Sequence, residues 1–275
     1  MLEVKDLCVS VVGGKPRQLV SNVSFTLKED QCLGILGESG SGKSLTCNAI
    51  NGLLGEQFSV TGQALFQSDS NGSEQDLLNM SANQRRKMRG EQISMIMQSP
   101  MTAFNPLFTI GNQAVETIKQ HKPLGTKQAT ELFCDVLTRV NLKSVQSLLT
   151  KYPHELSGGM LQRIMVALAL VLEPKLIIAD EPTTAIDYIS QREVIKELQF
   201  VREQFGTSLI FVSHDLSLVS HIADNVMVMN QGQVVEYGAT KQVFTQPQSE
   251  HARYLVDTRM ALINRFKSVM ENREC

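Results

Sequence analysis

QCLGILGESGSGKSLTCNAINGLL, residues 31–54, is the stretch that decides the fold. Its first six residues, QCLGIL, are a short apolar run and read as a strand. The next eight are Gly37, Glu38, Ser39, Gly40, Ser41, Gly42, Lys43 and Ser44, which fit G-x-x-x-x-G-K-[ST] in full. From Lys43 onward the pattern is helical. Strand, glycine loop and helix in that order make a phosphate cradle. The glycines let backbone N–H groups wrap the β- and γ-phosphates of ATP, and the helix turns its positive end toward them. In such a cradle Lys43 neutralises charge on the phosphoryl oxygens, and the Ser44 hydroxyl is a ligand for Mg²⁺. A chance Gly-rich turn is the alternative, and the flanking strand and helix weigh against it.

Three further strands carry polar residues at their ends. LIIAD (176–180) is apolar up to Asp180, which is followed by Glu181. An acid at the carboxyl end of a buried strand faces the ligand crevice of an α/β sheet. There Asp180 would orient Mg²⁺ through water, and Glu181 would polarise the attacking water as general base. Alone, the pair would read as loop or capping acids. SLIFVSH (208–214) delivers His214 to the same edge, within reach of a γ-phosphate; in isolation it would be a structural histidine. ISMIM (93–97) leads into Gln98. Its neutral amide can reach Mg²⁺ and water without adding charge, unless it is simply an exposed strand-end glutamine. Finally, Ser157-Gly158-Gly159 opens a helical run to 172. Serine is a good N-cap, and the glycine pair bares backbone N–H groups, so this end is also an anion site. The loop 37–44 already surrounds its own ATP. The spare site therefore makes sense against the ATP of a partner chain, unless it is an ordinary Gly-rich cap.

With 275 residues, 42% of them hydrophobic, the chain has enough apolar material for one large domain or two joined subdomains. A net charge of −2 gives no argument for a polyanionic partner. Cys8, Cys32, Cys47, Cys134 and Cys275 show no CxxC spacing and read as reduced thiols. The N-terminus does not look like a signal peptide. No apolar run approaches the roughly 18 residues of a spanning helix, so any work at a membrane requires docking onto something that spans it. Residues 2–12 and 22–28 read as antiparallel strands around Gly13-Gly14, and 67–92 as a surface loop and a short basic helix. The stretch 99–155 is helical, broken at Pro106 and Pro123. A helix at 188–204, a short one at 215–223, a hairpin at 225–238 turning on Gln231-Gly232, and a helical tail from 240 broken at Pro247 complete the pattern. This is a parallel sheet with helices on its faces, interrupted by a helical insertion, and it holds one nucleotide module without repeats.

In order, these elements resemble the ATP-binding subunits of ABC transporters over nearly the whole chain. GESGSGKS matches Walker A, Gln98 the Q-loop glutamine, LSGGM (156–160) the signature, LIIADEP Walker B with its catalytic Glu181, EPTTAID (181–187) the segment ending in the D-loop Asp187, and His214 the H-loop. The resemblance implies a P-loop NTPase fold of α/β class. It has a RecA-like core, an antiparallel β subdomain and an α-helical subdomain inserted at about 99–155 that contacts the permease. The ATP-binding domain would span 1–240, with a helical extension at 241–275. Asp187 joins the nucleotide-contacting residues on this basis alone.

Within the family, RGEQISMIMQSPMTAFNPL (89–107) and SGGMLQR (157–163) resemble the oligopeptide/dipeptide/nickel importer branch. The tail QPQSEHARYLVDTRMAL (246–262) lacks the cysteine cluster or HPYT-like sequence of many peptide importers. That makes the chain most like the nickel or metal–chelate importing members; a peptide cargo is the alternative. The resemblance implies a second ATPase subunit, here a heterodimer partner, two transmembrane permease subunits, and an extracytoplasmic solute-binding protein. It places the chain at the cytoplasmic face of the membrane as a peripheral protein. Nothing in it looks like a nickel site, so metal specificity would lie in the other chains. Where the family usually has an aromatic residue near the end of the first strand to stack on adenine, this chain has Val11-Val12. Arg17 or another side chain would have to cover the base, and weak nucleotide discrimination is expected. A soluble ABC ATPase acting on nucleic acid or ribosomes is the rival of another class, and QRRKMR (84–89) is the basic cluster that would serve it. A non-hydrolysing regulatory nucleotide binder is opposed by the intact Glu181 and His214.

Overall fold

Two sheets of different character meet around the glycine loop in the computed structural model, which describes residues 1–13, 17–68, 73–183 and 188–258. In chain order the elements are β1 (Leu2–Val11), β2 (Arg17–Leu27), β3 (Cys32–Leu36), α1 (Lys43–Ile50), β4 (Phe58–Phe66), β5 (Gln75–Asp76), α2 (Ala82–Glu91) and β6 (Ile93–Ile96). The helical stretch follows as α3 (Pro100–Ala103), α4 (Ile110–His121), α5 (Thr126–Arg139) and α6 (Val145–Leu149). Then come α7 (Gly158–Leu170), β7 (Leu176–Asp180), α8 (Tyr188–Phe205), β8 (Ser208–Val212), α9 (Leu216–Ile222), β9 (Asn225–Asn230), β10 (Gln233–Ala239) and α10 (Thr240–Thr245).

The larger sheet has the order β10-β9-β3-β8-β7-β6, parallel throughout except at the β10 edge. Every residue of β3, β7 and β8 is buried, as their unbroken apolar runs require of strands covered on both faces. Alternate side chains divide between two cores. Ile177, Ala179, Leu209 and Phe211 join the helical side, whereas Leu33, Ile35, Ile178 and Ile210 join α1 and the antiparallel sheet. Register aligns the strand ends: Ile35 and Asp180 both pair with Val212, and Ile96 pairs with Ala179. The segments after β3, β6, β7 and β8 therefore leave the sheet side by side.

The smaller sheet, β2-β1-β4-β5, is antiparallel. Here the structure departs from the sequence reading. β2 begins at Arg17 rather than 22, and β4, which no apolar run announces, pairs along β1 from Phe66 to Phe58. Only Ala64 and Phe66 of β4 are buried, so its periodicity is faint and pairing alone defines it. Helices α4, α5 and α7 share one apolar core through Ile118, Phe133, Leu137, Leu161 and Ile164, so packing is continuous across residue 155. The β9–β10 turn has Gln231 and Gly232 at φ 48° and 79°, the left-handed pair of a type I′ hairpin. Beyond α10, the Glu236 carboxylate accepts from the Gln248 and Ser249 N–H groups at 2.9 and 2.8 Å and anchors the helical segment that starts at 250. The remainder of the proposed extension, with Cys275, lies outside the described residues. Among the described residues no helix is long and apolar enough to cross a membrane.

Candidate functional site

The glycine loop runs from the end of β3 to the start of α1. A Cβ on Gly37 would lie 2.3 Å from the Met229 carbonyl oxygen, so the loop follows this path only without a side chain there. Lys43 Nζ is buried and donates to the carbonyls of Gly37 and Glu38, each at 2.9 Å. Burial draws its pKa down, and the carboxylates of Glu181 and Asp180 oppose that shift. Ser41 is buried with its hydroxyl unpaired, a polar atom inside the loop awaiting a partner.

Three further strand ends, those of β6, β7 and β8, converge on this loop. Ser44 Oγ donates to Asp180 Oδ1 at 2.8 Å. Asp180 is buried, which raises its pKa; the Ser44 hydrogen bond opposes the rise and the neighbouring Glu181 adds to it. Glu181 sits at φ 45°, a left-handed conformation that costs a non-glycine residue about 1–3 kcal/mol. Its N–H donates to Val212 O at 3.0 Å, which holds it in that conformation at the tip of β7. Its Oε1 is 3.9 Å from Lys43 Nζ. Its Oε2 accepts from Gln98 Nε2 at 3.1 Å and lies 3.6 Å from His214 Nδ1. Gln98, Glu181 and His214 face Glu38, Lys43 and Ser44 across a cleft of about 620 Å³. The hydroxyl, carboxylate and amide oxygens of Ser44, Asp180 and Gln98 are hard donors of the kind Mg²⁺ takes, and the residues present fit that ion.

Ser157 caps α7, its Oγ accepting from the Met160 N–H at 3.3 Å. Neither it nor Gly158 or Gly159 lines the cleft of its own chain. Asp187 lies outside the described residues. The basic cluster 84–89 is partly committed to the fold: Arg85 donates to the carbonyls of Leu78 and Met80 at 2.8 and 3.1 Å, and Arg89 to that of Gly52 at 3.1 Å. The residue the sequence reading missed is Leu19 of β2, which lines the cleft, whereas Val12 is 56% exposed and neither it nor Arg17 lines it. The signal was the adjacent pair Leu19-Val20, which places one apolar side chain on each face of β2. A second, apolar cleft of about 360 Å³ opens between Leu53, Met95 and Met97 on one side and Phe104, Leu168 and Leu172 on the other.

This fold and this site define an ATP-binding cassette. The family model described as ABC transporter matches residues 20–184, more than half of the chain. The chain is 43% identical over 270 residues to the metal-staphylopine import system ATP-binding protein CntD of Staphylococcus aureus (strain Mu50), covering 98% of this chain and 97% of that protein. It is 42% identical to the oligopeptide transport ATP-binding protein OppD of Salmonella typhimurium (strain LT2), over 90% of this chain and 72% of that one. The dimeric post-hydrolysis structure of the cassette MJ0796 bound to ADP and Pi superposes with a TM-score of 0.76 at 22% identity, over 87% of this chain and 99% of that one. The chain belongs to the ABC transporter family and is an ATP-hydrolysing subunit of an ABC importer.

Proposed function

We propose that this chain drives import of a transition metal, nickel or a neighbour, taken up as a metal–chelate. The observation that carries the cargo is the likeness to the metal-staphylopine protein, which extends over 98% of this chain. Oligopeptide import is the second reading, favoured by the 42% identity to the oligopeptide protein.

The ATP-binding domain is taken as 1–240, with the helical subdomain at about 99–155 and the extension at 241–275. Gly37, Glu38, Ser39, Gly40, Ser41 and Gly42 cradle the phosphates with their backbone N–H groups, and Lys43 exchanges its carbonyl partners for phosphoryl oxygens. Ser44, Asp180 and Gln98 would hold Mg²⁺, which would supply neutralisation of phosphate charge. Glu181 takes the proton of the attacking water, and His214 holds that water and the γ-phosphate in line. Ser157, Gly158 and Gly159 serve the ATP of a second, homologous ATPase chain, with Asp187 at the same junction. The dimer formed by the MJ0796 cassette supports this arrangement, and a heterodimer is the form we favour.

The apolar cleft beside Met97 suits a short helix of one of the two permease subunits. An extracytoplasmic binding protein delivers the cargo, and this chain sits peripherally at the cytoplasmic face. Uptake in cells lacking the chain, complemented with the wild type or with Lys43→Ala, tests the reading. Nickel or cobalt uptake restored by the wild type alone is the expected result. Unchanged metal uptake with a loss of peptide uptake would transfer the cargo to peptides.

A further inference from the structure

Away from the glycine loop, one carboxylate is buried without a hydrogen bond. Glu197 on α8 is 9% exposed, and both of its carboxylate oxygens are buried and unbonded. The cation beside it does not supply the bond. Arg163 on α7 gives Nη2 to Glu193 and turns Nη1 toward Asn141 O at 3.5 Å, which leaves its Nε 3.7 Å from Glu197 Oε1. That is close enough for charge attraction and too long for a hydrogen bond.

Glu197 borders a cavity of about 60 Å³ between α5, α7 and α8. The inner walls are Val136, Val140, Leu170 and Val201, all buried and aliphatic. Phe200 and Phe205, 45% and 39% exposed, line it together with the exposed Asp135, Arg139 and Glu173, and mark where it opens. Carboxylates outnumber cations there: Asp135, Glu173 and Glu197 face the single guanidinium of Arg139. Glu173 has Lys122 Nζ at 3.8 Å, and the Arg139 guanidinium lies 5.8 Å over the Phe205 ring. The mouth thus already holds one cation against an aromatic face. Water suits the interior poorly, because it needs about two to four polar partners and the inner walls are aliphatic. The volume admits only a few heavy atoms, since a benzene ring takes a cavity of about 150 Å³.

We propose that this cavity is a binding site for a small primary alkylamine in its ammonium form, with Glu197 as its counter-ion. The three ammonium donors meet the carboxylate oxygens that the fold leaves unbonded. The alkyl chain lies against Val136, Val140, Leu170 and Val201. Burial holds the Glu197 pKa at about 7, whereas an alkylammonium ion keeps its charge to about pH 10, as lysine does. The amine therefore binds the ionised carboxylate above pH 7 and competes with a proton below it. The charged groups that face Glu197 are Asp135 and Arg139 from α5, Arg163 from α7, Glu173 beyond it and Glu193 on α8 itself, none of them a histidine.

The chain contains no Trp, so Phe200→Trp in the full chain places a single fluorophore at the mouth. Titration with n-butylammonium chloride at pH 8, with ionic strength held constant by NaCl, should change its emission to saturation. 1-Butanol, which has the shape without the charge, and butyrate should not. Affinity should fall about tenfold between pH 8 and pH 6, with the ionised fraction of Glu197. Adding Glu197→Gln should weaken butylammonium binding by at least about tenfold. Calorimetry on the parent chain at pH 7, in two buffers of different ionisation enthalpy, should show about half a proton released per amine bound, a readout that needs no variant. Absence of saturable butylammonium binding to the parent chain, equal binding of 1-butanol, or an affinity indifferent to pH or to Glu197→Gln overturns the proposal.

Discussion

Gln98 Nε2 donates to Glu181 Oε2 at 3.1 Å, joining two residues 83 positions apart. The first leaves β6 and opens the helical stretch; the second stands at the strained tip of β7. The bond uses the amide nitrogen, so the Gln98 amide oxygen can ligate a cation while the bond to Glu181 stands. One side chain thereby links the tip of β7 to the start of the helical stretch.

Removing the Glu181 charge tests its role as base. Glu181→Gln keeps the shape and the capacity to accept from Gln98, and loses the capacity to take a proton. ATP turnover should fall by at least about a hundredfold. Size-exclusion chromatography with ATP should show an accumulated dimer. Turnover at the parent rate refutes the assignment.

Glu197 provides a pH-dependent test of stability. It lies on α8 beside a small cavity of about 60 Å³ lined also by Val136, Val140, Leu170 and Val201. Both carboxylate oxygens are buried without a hydrogen bond. Burial pushes its pKa from the ordinary 4.5 to about 7, against the pull of Arg163, whose Nε lies 3.7 Å away and whose guanidinium also pairs with Glu193. Between those two values the folded chain keeps a proton that the unfolded chain has released, so stability falls as pH rises through that window. The ceiling is about 3 kcal/mol at 1.36 kcal/mol per pKa unit. Glu197→Gln should abolish this dependence. Its melting temperature relative to the parent should rise between pH 5 and pH 8. Parallel pH profiles for the two chains would show that Glu197 is not protonated in the fold.

The apolar cleft should be a docking surface. Leu53 is 45% exposed on its wall, so Leu53→Asp should leave folding and nucleotide affinity within about twofold, because surface substitutions shift stability by about 0.5 kcal/mol or less. The variant should shift from the membrane fraction to the supernatant after lysis of cells that express the whole transporter. Retention at the membrane would show that the permease contacts another face.

The parallel strands were legible because each is an unbroken apolar run bounded by a glycine loop or a helix. QCLGIL, LIIAD and SLIFV need no partner to be recognised, and they are β3, β7 and β8. β4 was not legible. FSVTGQALF buries only Ala64 and Phe66 and becomes a strand only by pairing with β1. Arg85 and Arg89 looked like a charged face, yet Arg85 holds the Leu78 and Met80 carbonyls just ahead of its helix, and Arg89 holds that of Gly52, 37 residues away.

By itself the sequence determined the loop that takes the phosphates, the polar residues at the strand ends and the class of fold. Each of these is a property of a few consecutive residues: a glycine that frees the backbone, a serine that caps, an apolar run that must be buried. Only the tertiary structure decided which of them meet. The register of β3, β6, β7 and β8 brought Ser44 to Asp180 and Gln98 to Glu181. The Gly232 turn, clamped between Ser21 and Ser41, set Leu19 beside the loop. Contacts between residues so far apart in the chain depend on sheet register and on the close approach of backbones, and no local pattern encodes either.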